Sequence, residues 1–329
     1  MNRAVVLLLA FSSLCCPCPA EDTQTQVQAM LRRARQLSGI RSPGAPAFRL
    51  HATFSFVEGL ETVQGAYTEV WNSDSQWRRE TVIGESHYVE VEAADKKWLV
   101  YPEGFPSQAI KVPPLMEFLP SPSSNLSFDS ITETQPGGGP AADCALSRSA
   151  SDDQRIAFCF DKKSGVMVGM VYPERRPRNI VSFSCQYGTF KKFGDYFFPR
   201  EMVCLEDRHR TLSANVDELS FEPASEPALY APPPGAIELG RCHGKTLPPA
   251  FSGRDITFPH SAPSRIVWVR LWFVINDKGK LKDVRPVRPG GKGSQENALN
   301  ILRQMAFKPG TCDGRPIPMS MSIDIPSIE

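Results

Sequence analysis

The sequence predicts an α+β protein. An N-terminal antiparallel, curved β-sheet of half-barrel form, with one helix, is followed by a small C-terminal ββαβ unit. Three observations predict this. A single helical stripe precedes a long series of short alternating strands. A polyproline break, Ala231-Pro232-Pro233-Pro234-Gly235, then divides the chain. Beyond it, 265–325 reads strand, turn, strand, helix, strand. A length of 329 residues suits two ordinary domains. The expected division is 1–20 signal peptide, 21–230 β domain, 231–253 Pro-rich linker and 254–329 C-terminal domain.

Arg3 precedes an apolar run from Ala4 to Leu14, and Cys18-Pro19-Ala20 ends in a small residue. This is the pattern of a secretory signal peptide cleaved after Ala20. Cys15, Cys16 and Cys18 invite a lipoprotein reading, but Leu14 stands where a lipobox needs a small residue. The expectation is therefore a soluble, exported, periplasmic protein. Without residues 1–20 the chain has 37 − 1 = 36 Lys and Arg against 36 Asp and Glu. That balance offers no electrostatic case for nucleic acid. Residues 254–329 carry twelve basic and seven acidic side chains, so the rest is acidic by the same margin of five. Opposite charge could help the two parts dock.

In chain order, Val27, Met30, Leu31, Ala34 and Leu37 form one apolar stripe, and Gly39 ends that helix. Phe48, Leu50, Ala52, Phe54 and Phe56 then alternate with Arg49, His51, Thr53 and Ser55. Strands over 63–71, 77–83, 87–92 and 97–101 continue at hairpin spacing, which indicates an antiparallel meander. Prolines between 102 and 122 break the run, leaving room for one helical turn at Leu115–Leu119. Strands resume over 143–147, 155–161, 166–172, 180–187, 196–205 and 211–219. Asp161-Lys162-Lys163-Ser164-Gly165 reads as a turn between two of them.

In the last part Val267, Val269, Leu271, Phe273 and Ile275 alternate strictly. Asn276–Lys280 is a turn with Gly279 available for a positive φ, and 281–288 is the returning strand. Ser294 is the candidate N-cap of a helix carrying Ala298, Ile301, Leu302 and Met305 on one stripe. Ile317, Met319, Met321, Ile323 and Ile325 alternate along the last strand. One helix packed on three strands satisfies these stripes.

Six cysteines remain after residue 20: Cys144, Cys159, Cys185, Cys204, Cys242 and Cys312. An even number in an exported chain suggests disulfides, although six cysteines allow fifteen pairings. Neighbouring strands argue for Cys144–Cys159 and Cys185–Cys204, which leaves Cys242–Cys312 to tie the linker to the C-terminal unit. No Cys-x-x-Cys pair occurs. The five histidines are scattered without metal-ligand spacing, and no nucleophile–base signature stands out. A non-enzymatic protein without a cofactor or metal is the expectation. Opposite the apolar face of the first C-terminal strand lie Trp268, Arg270 and Trp272. Two Trp around an Arg are common interface anchors, so these three are the candidate partner-binding residues.

The C-terminal part resembles the C-terminal domain of the TonB family. The resemblance rests on Ile256-Thr257-Phe258-Pro259, Phe273–Lys280, Ala306-Phe307-Lys308-Pro309 and Asp313–Pro318. It implies a periplasmic module that pairs a sheet edge with an extended segment of an envelope protein. An uncleaved membrane anchor and a long Pro-rich spacer are missing from the places that energy coupling needs, so a docking or scaffold role is expected. The outline of the N-terminal part, with Tyr67-Thr68-Glu69-Val70-Trp71 and Trp77-Arg78-Arg79, looks like the LolA/LolB type of periplasmic lipoprotein carrier. That resemblance implies a concave face able to hold an acyl chain. The expected function is a periplasmic, membrane-adjacent binding or scaffold protein that docks a partner by strand addition. The alternative is a carrier of lipid or lipoprotein acyl chains in the half-barrel.

Overall fold

The computed structural model describes residues 20–106, 108–119, 127–134, 141–149, 152–175, 180–206, 209–222, 226–242, 244–252, 266–288 and 291–328. Residues 1–19 of the expected signal peptide and the segment Ile256–Pro259 lie outside these residues. Helix α1 (Ala20–Ser38) opens the chain. The strands of the first half are β1 (Phe48–Glu58), β2 (Glu61–Ser73), β3 (Gln76–Ile83), β4 (Ser86–Ala93) and β5 (Lys96–Val100). After α2 (Val112–Glu117) come β6 (Ser127–Thr134), β7 (Ala142–Ser149), β8 (Asp152–Asp161), β9 (Met167–Arg175) and β10 (Ile180–Gly188). A hairpin of β11 (Lys191–Phe193) and β12 (Tyr196–Phe198) precedes β13 (Glu201–Glu206), β14 (His209–Phe221) and β15 (Ile237–Leu239).

Thirteen of these strands form one sheet in the order β15-β5-β4-β3-β2-β1-β14-β13-β10-β9-β8-β7-β6. Every neighbour pair is antiparallel, and the sheet curves without closing: β15 and β6 are its two ends. One face is continuous core. Along β1, Phe48, Leu50, Ala52, Phe54 and Phe56 are all buried while the intervening residues are half-buried or exposed, as period-two alternation requires. Val27, Leu31 and Ala34 of α1 pack into the same core, as do Val112, Leu115 and Met116 of α2. The helices fill the inner side of the sheet.

Three expectations are corrected here. The 196–205 stretch is not one strand. It breaks at Pro199-Arg200, where Arg200 N–H donates to the Gly188 carbonyl and Val216 N–H to the Arg200 carbonyl. Strand β6 was not expected, because an edge strand buries little: of its residues only Phe128 is fully inside. The segment 237–239, expected as linker, is β15, paired with β5 at the rim of the large sheet.

The C-terminal part contains β16 (Thr246–Leu247), β17 (Ala250–Phe251), β18 (Ile266–Ile275), β19 (Leu281–Arg288), α3 (Lys292–Gln304), β20 (Phe307–Lys308), β21 (Gly310–Cys312), β22 (Arg315–Ile317) and β23 (Met319–Ile328). Its main sheet runs β19-β18-β23 and carries α3 on one face. Val269, Leu271, Phe273 and Ile275 meet Ala298 and Leu302 in a separate core. Gly279 has φ +74°, and Asn276 Oδ1 accepts the amides of Lys278 and Lys280 at 3.0 and 2.8 Å, which fixes the expected turn. Ser294 is not the N-cap: that place is Gly291, and Ser294 lies buried inside the first turn. The other face of β18 carries the candidate partner-binding side chains Trp268, Arg270 and Trp272, and Trp272 and Val274 on it are buried in the core of the large sheet.

All three expected disulfides are present: Cys144–Cys159, Cys185–Cys204 and Cys242–Cys312. The first two join directly opposed residues of neighbouring strands. Such bonds belong to an oxidising compartment. Among the described residues no helix is long and apolar enough to cross a membrane.

Candidate functional site: an apolar cavity and a buried ion cluster

A cavity of about 550 Å³ opens where the end of α1, the β8–β9 turn and the β11–β12 hairpin meet. Leu37, Val166, Val168, Phe190, Phe197 and Val203 give it apolar walls, and Tyr187 also lines it. Polar side chains of the lining are Asp161, Ser164, Gln186 and Glu201. Sequence sets these walls locally. Gly165 at φ +82° lets the Asp161–Gly165 turn close, and Asp161 Oδ1 accepts the Ser164 amide at 2.7 Å and its hydroxyl at 2.6 Å. Those hydrogen bonds hold the Asp161 carboxyl below its usual range. Arg33 of α1 donates to the Ser164 carbonyl at 3.3 and 3.2 Å, which ties helix to turn. On the floor, Tyr187 OH donates to Met170 Sδ at 3.2 Å, and burial pushes the phenol far above its usual range.

Against the inner face of the sheet sits a compact ion cluster. Glu69 on β2 is fully buried. It accepts Arg41 Nε at 2.9 Å, a second bond from Arg41 Nη2, Arg79 Nε at 3.1 Å and Tyr67 OH at 2.9 Å. Burial alone would raise the Glu69 carboxyl; the two guanidiniums outweigh it and hold the group down at about 2. The arginines also grip α2. Arg41 Nη1 donates to the Met116 carbonyl at 3.0 Å, and Arg79 Nη2 meets Glu117 Oε1 at 2.6 Å. Aromatic faces complete their surroundings: Arg79 lies over Trp77 at 4.3 Å and Arg41 over Phe48 at 5.4 Å. A second cavity, of about 370 Å³, lies beside the cluster between Arg35, Ser38, Trp71 and Trp77.

The candidate partner-binding residues fall elsewhere. Trp272 stacks on Tyr101 with ring centroids 4.8 Å apart. Arg285 of β19 also donates to the Tyr101 carbonyl. Arg270 forms a two-bond ion pair with Asp324 of β23 at 2.9 and 2.7 Å. Trp268 is half-buried, with its indole nitrogen enclosed. The face carrying these side chains is thus turned toward the large sheet. No group of three or more His, Cys, Asp or Glu among the described residues is placed to hold a metal ion.

Sequence reasoning expected an apolar space in the N-terminal part but named none of the residues that line this cavity, and it missed the cluster. The signal for the cavity was Phe190-Lys191-Lys192-Phe193-Gly194-Asp195-Tyr196-Phe197-Phe198, a hairpin with Gly-Asp at its turn. The signal for the cluster was a Glu in register with Tyr67 and Trp71 on an inward strand face.

No family model matches the chain, and no curated protein sequence matches it. Solved structures that the chain is similar to include the following three. One is a domain assigned to outer membrane lipoprotein sorting from Vibrio parahaemolyticus, 11% identical, covering 64% of this chain and 97% of that one, with a TM-score of 0.44. Another is a LolA superfamily protein from Nitrosomonas europaea, 5% identical, covering 62% and 96%, TM-score 0.42. The third is a DUF1329 family protein from Desulfovibrio piger, 12% identical, covering 62% and 97%, TM-score 0.42. At these scores the likeness says nothing about ligand or activity.

Proposed function

We propose that this is a non-enzymatic periplasmic binding protein whose ligand is an acyl chain or a similar apolar group. The observation that supports this is the cavity of about 550 Å³ with its walls of Leu37, Val166, Val168, Phe190, Phe197 and Val203. Its size is within the range of about 300–1,000 Å³ typical of small-molecule sites. Each methylene transferred from water into such a place is worth about 0.8 kcal/mol, so a chain of modest length binds without any charged contact. Docking by strand addition, the role implied by the TonB resemblance, lacks a comparable observation: Trp272, one of its three candidate anchors, is committed to Tyr101 within the same molecule.

The test uses the delipidated full chain and a neutral apolar fluorophore, N-phenyl-1-naphthylamine. Saturable binding at one site is expected. Val203→Trp fills the space and weakens binding by about tenfold, the equivalent of roughly two lost methylenes. A native protein that gives no saturable signal, or a V203W variant that binds as well as the native chain, removes the reading.

A further inference from the structure

The charge in the lining of the larger cavity is one-sided. Among the described residues that line it are two carboxylates, Asp161 and Glu201, and no cation. The register of β10 and β13 sets Gln186 opposite Val203 and Gly188 opposite Glu201. Directly opposed residues share a face, and so do residues two apart along one strand. Gln186, Gly188, Glu201 and Val203 therefore lie on one face, and all four line the cavity. Glu201 stands two residues, about 7 Å, along β13 from the apolar wall at Val203. Gly188 keeps the space beside it open: outside its own chain neighbours, a Cβ there would meet only Glu201 Oε2, at 4.0 Å. Glu201 is exposed and forms no ion pair with a described residue.

The cations of the adjoining turn and hairpin are occupied or lie outside the lining. Arg33 donates to the Ser164 carbonyl, and Lys162 pairs with Glu133 at 2.6 Å and Asp143 at 3.4 Å. Lys163, Lys191 and Lys192 are exposed, and none of them lines the cavity. Arg200, next to Glu201 in the chain, has its Nε enclosed and is also outside the lining. Asp161 is engaged by the Ser164 amide and hydroxyl. Glu201 is thus the carboxylate left for a ligand. Phe197, 37% exposed, lines the same cavity and is an aromatic ring of the kind that attracts alkylammonium groups.

We propose that the cavity selects a cationic amphiphile, with the apolar part between Leu37, Phe197 and Val203 and the ammonium head at Glu201. This rests on the cavity being a ligand site. An exposed carboxylate beside apolar walls offers an ammonium a partner at little desolvation cost, since both charges keep access to water. The apolar part supplies affinity and the carboxylate supplies selectivity. Without residues 1–20 the basic and acidic side chains balance at 36 each, so the net charge of the chain does not create such a preference.

The experiment compares three fluorescent probes of one apolar body on the delipidated full chain at neutral pH and low salt. They are diphenylhexatriene, its trimethylammonium derivative and its propionic acid derivative. The cation is expected to bind about fivefold more tightly than the neutral probe, the scale of one exposed ion pair, and the acid to bind most weakly. The difference should shrink as salt is added. Glu201→Gln is expected to bring the cation and the neutral probe to equal affinity, and Glu201→Lys to make the acid the tightest binder. Val203→Trp is expected to weaken the cation and the neutral probe alike. Equal binding of cation and neutral probe by the native chain, or a preference that survives E201Q, overturns the assignment while leaving the cavity reading standing. So does a cation affinity untouched by V203W when the neutral probe is weakened, since the cation would then sit outside the cavity. Failure of all three probes to bind overturns the two together.

Discussion

Glu69 shows what one residue contributes to this protein. A carboxylate placed in the inward register of β2 is tolerated only because Arg41, Arg79 and Tyr67 together satisfy it. Its pKa of about 2 lies below the value of about 4.3 for an unfolded Glu. The sign follows: a depressed carboxyl stabilises the fold fully above pH of about 4.3, and the contribution is lost as pH falls toward 2. Glu69→Gln is expected to cost about 3 kcal/mol at neutral pH, because it leaves two guanidiniums buried without their counter-charge. The same variant should show a shallower loss of stability between about pH 4 and 2. Urea unfolding of both proteins across that range checks the two claims, and a variant with native-like acid sensitivity would refute the role given to Glu69.

At the scale of the element, α2 is the informative case. Six residues are too few to be stable alone, so the helix exists because tertiary contacts hold it. Its apolar residues enter the core, and two bonds from Arg41 and Arg79 clasp its C-terminal end. The Arg79–Glu117 pair is partly exposed on the Glu side, so its loss should change global stability by less than about 1 kcal/mol. Local opening is more sensitive. Glu117→Gln is expected to speed amide hydrogen exchange at Leu115–Glu117 several-fold while β1 and β14 keep their native protection. Exchange followed by mass spectrometry decides it; unchanged rates in α2 would mean that core packing alone holds the helix.

For the whole molecule, the join between the two parts matters most. Trp272 and Val274 enter the core of the large sheet, β15 extends its rim, and the Gly240 amide donates to the Pro318 carbonyl at 2.7 Å. Cys242–Cys312 closes the longest loop of the three disulfides, with a separation of 70 residues against 15 and 19. In the chain-entropy account, removing it costs about 4 kcal/mol, and removing either short-loop bond costs about 3. Double Ser variants of each pair should therefore rank in that order by denaturant midpoint. An unshifted midpoint for C242S/C312S would show that the join is held by packing alone.

Most elements were legible from local pattern. The stripe of α1, the alternation of β1 to β5 and the turn at Asn276–Lys280 are short-range consequences of side-chain periodicity and backbone preference. The disulfide pairs were legible too, because two of them join adjacent strands of a meander. What the local pattern could not carry is everything set by distant partners. Glu69 looks like any strand residue until Arg41 and Arg79 arrive from other elements. Trp272 looks like an open anchor until Tyr101 covers it. The cavity is legible in sequence only as far as its Phe190–Phe198 hairpin, because its other walls come from α1, the β8–β9 turn, β10 and β13. Periodicity decides which face of an element is apolar; only the packing of elements separated along the chain decides what that face meets and where space is left between them.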